Sequence, residues 1–257
     1  MKKLFSCSAL MLAASTAFAV STTTLTGTVR DFVPGPLVPG FSNPDFEGGN
    51  GGLTTGLVSS TLAGSAPTAI SFGAPGYITS PASFAEWYGP AAPSASHSIT
   101  LSETSPGSGI FSYSNGAFFP IDGMLLGNYG WSGHNFHFTY QIHATFGYAP
   151  GAGQVFRFAG DDDVWLFFDK KLGIDLGGVH STAGRSVNLD TLFGPGKAAG
   201  NYDFDFYFAE RHTSGSNFHI ETSLDLVSTP AVPEPETYAL MLVGLGGLGF
   251  LARPRKA

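Results

Sequence analysis

The sequence predicts an all-β protein, an antiparallel β-sandwich with Gly/Pro-rich loops and few short helical turns. Three observations carry that expectation. The 257-residue chain holds 35 Gly and 23 Phe, yet only 12% of it is charged, a composition that suits strands and turns better than helices. Apolar and polar residues alternate with period two over several stretches, the spacing of half-buried strands. Gly-rich connections separate these stretches, and no long helical period interrupts them.

The elements follow in chain order. "MKKLFSCSALMLAASTAFA" joins a basic start at Lys2 and Lys3 to an apolar run over 4–14, then closes on Ala17-Phe18-Ala19. That is the layout of a signal peptide over 1–19, cleaved after Ala19. Cys7, the only cysteine, lies within it, so the exported body has neither disulfides nor a cysteine nucleophile. Residues 20–80 are rich in Gly, Ser, Thr and Pro. One strand is predicted over 25–32 and loop elsewhere, and this part either packs on the sandwich or forms a flexible leader. The sandwich itself is expected over 81–228. It opens with a short helix in "SPASFAEWYG", with Ser83 as its cap.

In "NFHFTYQIHATF" the apolar face is Phe136, Phe138, Tyr140, Ile142, Ala144 and Phe146. His137 and His143 share the polar face, but six residues set them about 20 Å apart along a strand, beyond the reach of one metal. "YDFDFYFAE" and "FHIETSLDL" alternate in the same way. Shorter strands are expected over 154–158, 164–169 and 172–175, and "SVNLDTLF" ends in a helical turn. The strand carrying Trp165 is apolar on both faces, so Trp165 reads as core rather than as a sugar-stacking platform. Asp169-Lys170 stands where a tight hairpin would favour Asn-Gly, which weakens a type I′ turn there.

The C-terminal part, 229–257, has three pieces. Pro233-Glu234-Pro235 comes first, an apolar run over 238–252 follows, and Arg253, Arg255 and Lys256 close it. At about 1.5 Å per residue the run is a little short for a bilayer span, and the basic end would stay cytoplasmic. This tail resembles the PEP-CTERM sorting signal, although Pro254 interrupts the basic cluster. The resemblance implies recognition by an exosortase, a membrane protease of Gram-negative bacteria. The tail would anchor an inner-membrane intermediate transiently and then be removed, with delivery to the cell surface or extracellular matrix. A plain C-terminal anchor is the alternative. Without both ends, seven basic residues face seventeen acidic ones and the body carries about −10, which argues against nucleic acid or an anionic membrane as partner.

Asp161, Asp162 and Asp163 interrupt an aromatic segment, "FRFAGDDDVWLFF". Three adjacent carboxylates at a strand entrance offer hard oxygen ligands that suit calcium, and a divalent ion would cancel their repulsion. A solvated acidic turn is the other reading. His180, in "DLGGVH", either faces a ligand or ties down its own turn. In "AERH", Glu210 and Arg211 read as a structural ion pair, with Arg211 and His212 also candidates to face a ligand near Asn217. Asp163 with Asp175 is the pair a hydrolase would need, but no nucleophile motif, zinc spacing or glycosidase signature accompanies it.

Three stretches, "HNFHFTYQIHATFGY", "FRFAGDDDVWLFFDKKLGIDLGGVH" and "YFAERHTSGSNFHIETS", resemble the fibro-slime domain over 134–223. "LTGTVRDF", "NPDFE", "FAEWY" and "FFPIDG" extend the likeness more loosely upstream. Such domains resemble in turn the jelly-roll-like β-sandwich named after the anthrax protective antigen, found in glycosidases and flocculin-type adhesins. The resemblance implies an Asp–Asp pair joined by a cis peptide, here Asp161-Asp162, that holds calcium with Asn217 and loop carbonyls. Asp163 would be an extra carboxylate. The function expected is therefore calcium-dependent carbohydrate binding by an exported surface or matrix protein, with an extracellular polysaccharide or glycan as partner. The alternatives are a non-catalytic structural protein of the matrix or biofilm and, third, a hydrolase.

Overall fold

The computed structural model describes residues 19–35, 42–49, 51–73, 77–128 and 133–228. Ala17 and the sorting residues Pro233, Glu234, Pro235, Arg253, Arg255 and Lys256 lie outside them; Ala19 is the first described residue and is exposed. Thirteen strands and two short helices are present among the described residues. The strands are β1 (Thr22–Asp31), β2 (Val33–Pro34), β3 (Ser42–Asn43), β4 (Ser94–Glu103), β5 (Phe111–Asn115), β6 (Phe138–Tyr148) and β7 (Val155–Gly160). They continue with β8 (Asp163–Phe168), β9 (Lys171–Leu176), β10 (Ala183–Asn188), β11 (Gly200–Glu210), β12 (Phe218–Thr222) and β13 (Leu226–Ser228), and the helices are α1 (Pro81–Trp87) and α2 (Leu189–Phe193).

Eleven strands form one antiparallel sheet in the order β10-β7-β12-β5-β4-β1-β6-β11-β8-β9, with β13 also on β6. The ends, β9 and β10, come into contact, so the sheet curls into a nearly closed sandwich. The fold is all-β and antiparallel, as the alternation predicts. Alternation also decides which side chains meet inside. Phe138, Tyr140, Ile142, Ala144 and Phe146 of β6 join Phe204, Phe206 and Phe208 of β11 and Phe156 and Phe158 of β7 in the inner core. Phe118 stacks on Phe218 there with ring centroids 4.4 Å apart.

A second apolar cluster lies on the outer face of β8 and β11. Trp165, Phe167, Tyr207 and Ala209 are covered by Phe32, Phe46, Leu57, Val58, Leu62 and Ile78, and by Phe84, Trp87 and Tyr88 of and beside α1. The Gly/Pro-rich N-terminal part thus supplies both a central strand, β1, and a cover over one face of the sandwich. Burying β8 on both sides gives Trp165 zero exposure; its indole N–H donates to Asp175 Oδ1 at 3.1 Å.

Two local expectations need correcting. The cap of α1 is Ser80, not Ser83: Ser80 Oγ accepts from Ser83 N at 3.0 Å. Ser83 answers from the third helical position by accepting from Ser80 N at 3.1 Å, which satisfies two end donors reciprocally. The tight turn between β8 and β9 forms despite its sequence, with φ of +48° at Asp169 and +64° at Lys170, the signs a type I′ turn requires. Tertiary contacts outweigh the local preference. Asp169 N donates to Asp203 O and Lys170 O accepts from Leu62 N, both at 2.8 Å, and Lys197 pairs with Asp169.

Candidate functional site

The β7–β8 connection consists of Asp161 and Asp162 alone. Gly160 precedes it because a Cβ there would meet Asn217 O at 2.5 Å; only glycine lets the start of β12 approach so closely. Asp162 has φ +53°, a conformation Asp tolerates better than most residues. This kink, followed by the strand pleat, sends three consecutive carboxylates to three different sets of donors.

Asp161 Oδ1 accepts from Thr182 Oγ1 at 2.5 Å, and its Oδ2 accepts from Asn217 N at 3.1 Å and Asn217 Nδ2 at 2.5 Å. Asp162 Oδ1 accepts from His180 N at 3.1 Å, and Oδ2 from Arg211 N at 2.8 Å and His212 N at 3.1 Å. The turn therefore ties together the ends of β7, β10, β11 and β12. A carboxylate offers about four lone-pair sites, so each of these two keeps acceptor capacity beyond three bonds.

Asp163 goes elsewhere. Its Oδ1 accepts from Gly178 N and its Oδ2 from Arg211 Nε, both at 2.6 Å, and neither side chain of this ion pair is exposed at all. Arg211 Nη1 donates further to Asp45 O at 3.0 Å and Tyr77 O at 3.1 Å, and its guanidinium lies 4.9 Å from the Trp87 ring. Asp163 as a metal ligand and Arg211 as a glycan contact are therefore both corrected: the pair clamps the N-terminal cover onto the sheet. Glu210 and Arg211 do not pair with each other, because neighbours on a strand project to opposite faces.

A cleft of about 250 Å³ opens over the turn, lined by Asp161, Asp162, His180, Glu210, His212 and Asn217 among others. Asp161, Asp162, Asn217, His180 and His212 come together there as the sequence predicts; Glu210 is the addition. Glu210 is 1% exposed, and its carboxyl has side-chain hydrogen bonds with Ser216 and Asp162. Burial, then the neighbouring Asp162 charge, pushes the Glu210 carboxyl well above the usual range. Burial likewise pushes Asp162 up to about 6, against the opposing Arg211 charge.

His180 Nδ1 lies 2.8 Å from Ser181 O, a carbonyl that can only accept, so Nδ1 donates there and Nε2 is left for other partners. That buried Nε2 has no partner. His212 Nε2 lies 3.4 Å from Glu47 Oε2. Glu47, in the N-terminal cover, also accepts from Thr213 N at 2.7 Å and bonds His137 Nε2 at 3.0 Å. Burial alone would raise the Glu47 carboxyl, but the Thr213 and His137 bonds hold it below its ordinary value. Glu47 thus props the 211–213 side of the cleft, a role without any local signal, since "NPDFE" sits in a loop more than 160 residues upstream.

Among the described residues, no three His, Cys, Asp or Glu side chains are arranged around one point as a metal group. The oxygen atoms on offer are carboxylate and amide oxygens, which fit a hard cation better than a thiophilic one. His143 pairs with Asp205 at 2.6 Å, separate from His137. Asp175 accepts from Gly56 N at 2.7 Å and from Trp165, and neither it nor Asp163 lines the cleft.

Fold and sequence together define an exported, all-β surface protein. Residues 231–256 match the PEP-CTERM protein-sorting motif. The motif marks the chain for exosortase processing and for export through a membrane-anchored intermediate to the cell surface of a Gram-negative bacterium. The body is similar to psi proteins of Dictyostelium discoideum. It is 40% identical to protein psiQ over 202 residues, 72% of this chain and 20% of psiQ. It is 36% identical to protein psiC over 237 residues, 84% of this chain and 44% of psiC. The chain thus spans from a fifth to less than half of these relatives. No solved structure matches it.

Proposed function

We propose that the body is a fibro-slime-type module of the cell surface or extracellular matrix that binds carbohydrate through calcium at the Asp161–Asp162 turn. The observation that carries this reading is the cleft itself. Two adjacent carboxylates are fixed by backbone and side-chain donors, and they face a recess that also holds the buried Glu210 carboxyl and the His180 ring. Such a recess calls for a cation and for hydroxyl donors, and vicinal sugar hydroxyls on a calcium ion supply both. Asp161, Asp162 and Asn217 would hold the ion; Asn217 would turn its amide oxygen to it in place of the Nδ2 now on Asp161. His180 and His212 would flank the sugar.

The test is calorimetric titration of calcium into the chelator-treated protein, beside Asp161→Ala/Asp162→Ala, followed by a glycan array with and without chelator. Calcium binding that the double variant loses, with glycan binding that the chelator abolishes, supports the reading. No calcium heat and no thermal shift would sink it. A second reading, a non-catalytic structural protein of the matrix or biofilm, draws on the donors already engaging Asp161 and Asp162, three on each. On that reading the turn only ties four strand ends together, and calcium binding, if present, brings no glycan binding with it.

A further inference from the structure

We propose that the ligand of the Asp161–Asp162 cleft is a neutral polysaccharide chain, which runs from the cleft along the outer face of β7 and β12 into a second recess at Arg157 and Glu221. The inference rests on the reading that the cleft takes carbohydrate, and it adds a polymer and a second subsite to it. Asp161 N donates to Asn217 O at 3.3 Å, so the β7–β12 ladder, in which Gly160 faces Phe218, continues by one pair into the cleft. Period two then fixes which side chains share the face of Asp161 and Asn217: Ala159 and Arg157 on β7, His219 and Glu221 on β12. The residues between them, Phe156, Phe158, Phe218 and Ile220, point into the inner core. The N-terminal cover packs on β8 and β11, and on the β7–β12 face Gly184, Arg157 and Ser114 are exposed. Midway along it, Gly184, Ala159, His219 and Ser114 form one row across four strands. That row is low, because Gly184 and Ala159 raise nothing beyond a methyl group. At the far end Arg157 pairs with Glu221 at 2.5 Å, and the two line a cavity of about 370 Å³ with Ser108, Ile110 and Ser223. Four residues of strand from Asp161 to Arg157 cover about 14 Å, too far for a monosaccharide and within reach of a short oligosaccharide. The track suits a polyol: the guanidinium and serine hydroxyls donate, Glu221 accepts, and Ala159 and Ile110 offer apolar contact to ring carbons. Arg157 and Glu221 cancel in charge, and a body near −10 repels a polyanion, so the chain that fits is uncharged.

The experiment uses the full-length chain in detergent with calcium present. Calorimetry reads its binding to glucan, mannan, galactan and chitin fragments graded in length from monosaccharide to hexasaccharide. The expected result is an affinity, for at least one series, that rises tenfold or more from monosaccharide to hexasaccharide. Arg157→Ala/Glu221→Ala should abolish that rise while keeping the wild-type affinity for the monosaccharide. The pair lies at the surface and contributes little to stability, so this variant should melt with the wild type. Ala159→Leu, which raises the floor between the recesses and lines neither, should abolish the rise as well. Asp161→Ala/Asp162→Ala should lose fragments of every length. Affinity that does not change with length, or a rise that either of the first two variants retains, overturns the inference and leaves the cleft as a site for a single sugar. Hexasaccharide binding that survives Asp161→Ala/Asp162→Ala, or wild-type protein that binds no fragment, overturns both this inference and the reading beneath it.

Discussion

Replacing Arg211 with Met should unlatch the N-terminal cover rather than weaken ligand binding directly. Met fills most of the aliphatic volume but leaves Asp163 as an unpaired charge with zero exposure. Breaking a buried pair by removing one partner costs about 3–5 kcal/mol. The Nη1 bonds to Asp45 O and Tyr77 O disappear as well, at about 1 kcal/mol or more each. These terms overlap, so a loss of about 5 kcal/mol is the working figure. At about 2–4 °C per kcal/mol for a domain of this size, the melting temperature should fall by about 10–20 °C. Equilibrium urea unfolding checks it, with Arg211→Met/Asp163→Leu as the second arm. Because the double variant leaves no orphaned charge, it should recover about half the loss or more. A single variant within about 1 kcal/mol of wild type, with glycan binding lost instead, would refute the reasoning and return Arg211 to the ligand surface.

Three further outcomes follow from the same geometry. The folded state raises the Asp162 carboxyl from 3.8 to about 6, so it binds the proton more tightly than the unfolded chain does. Its contribution is fully present below about pH 4 and is lost as pH rises through about 6; in chelator, wild type should lose more stability than Asp162→Asn between pH 4 and pH 8, with Glu210, whose carboxyl the Asp162 charge also raises, adding to the difference. Asp31, also raised to about 6 by burial, falls in the same window in both proteins, so only the difference between their urea-unfolding curves counts, and parallel curves would contradict the burial argument. Gly160→Ala places a Cβ 2.5 Å from Asn217 O and should cost about 1–3 kcal/mol in urea unfolding while displacing Asn217 from Asp161, read as weakened calcium binding. Lys170→Gly relieves a positive φ of +64° and should raise stability by about 1 kcal/mol, seen as a higher urea midpoint with an unchanged slope.

The fold was legible because its core is written in period two. Phe138 to Tyr148 and Phe204 to Phe208 bury the residues their alternation selects, and no tertiary information is needed to read that. The cover was not legible. "PDFEGGNGG" has no periodicity, and Phe46 and Glu47 gain their roles only against Trp87, His137 and the 211–213 segment. The Asp169-Lys170 turn failed for a related reason: its local preference is real, and contacts from residues 62, 197 and 203 override it.

The candidate site was half legible, and the half that failed used a rule already in hand. Adjacency in sequence grouped Asp161, Asp162 and Asp163 as one ligand set and Glu210 with Arg211 as one pair. Both groupings fail: the kink at Asp162, with φ +53°, leaves Asp161 and Asp162 at the cleft while Asp163 starts β8 on the other face, and the alternation at the end of β11 turns Glu210 away from the next residue. Applied strictly, the pleat joins Asp163 to Arg211 across the β8–β11 ladder, where Ala209 pairs with Asp163, and leaves Glu210 on the cleft side. The exchange also explains why an acidic triplet is tolerable next to an aromatic core. One carboxylate is neutralised by a buried guanidinium, and two are held by donors beside three strand ends, those of β10, β11 and β12. The recess they face also holds the buried Glu210 carboxyl.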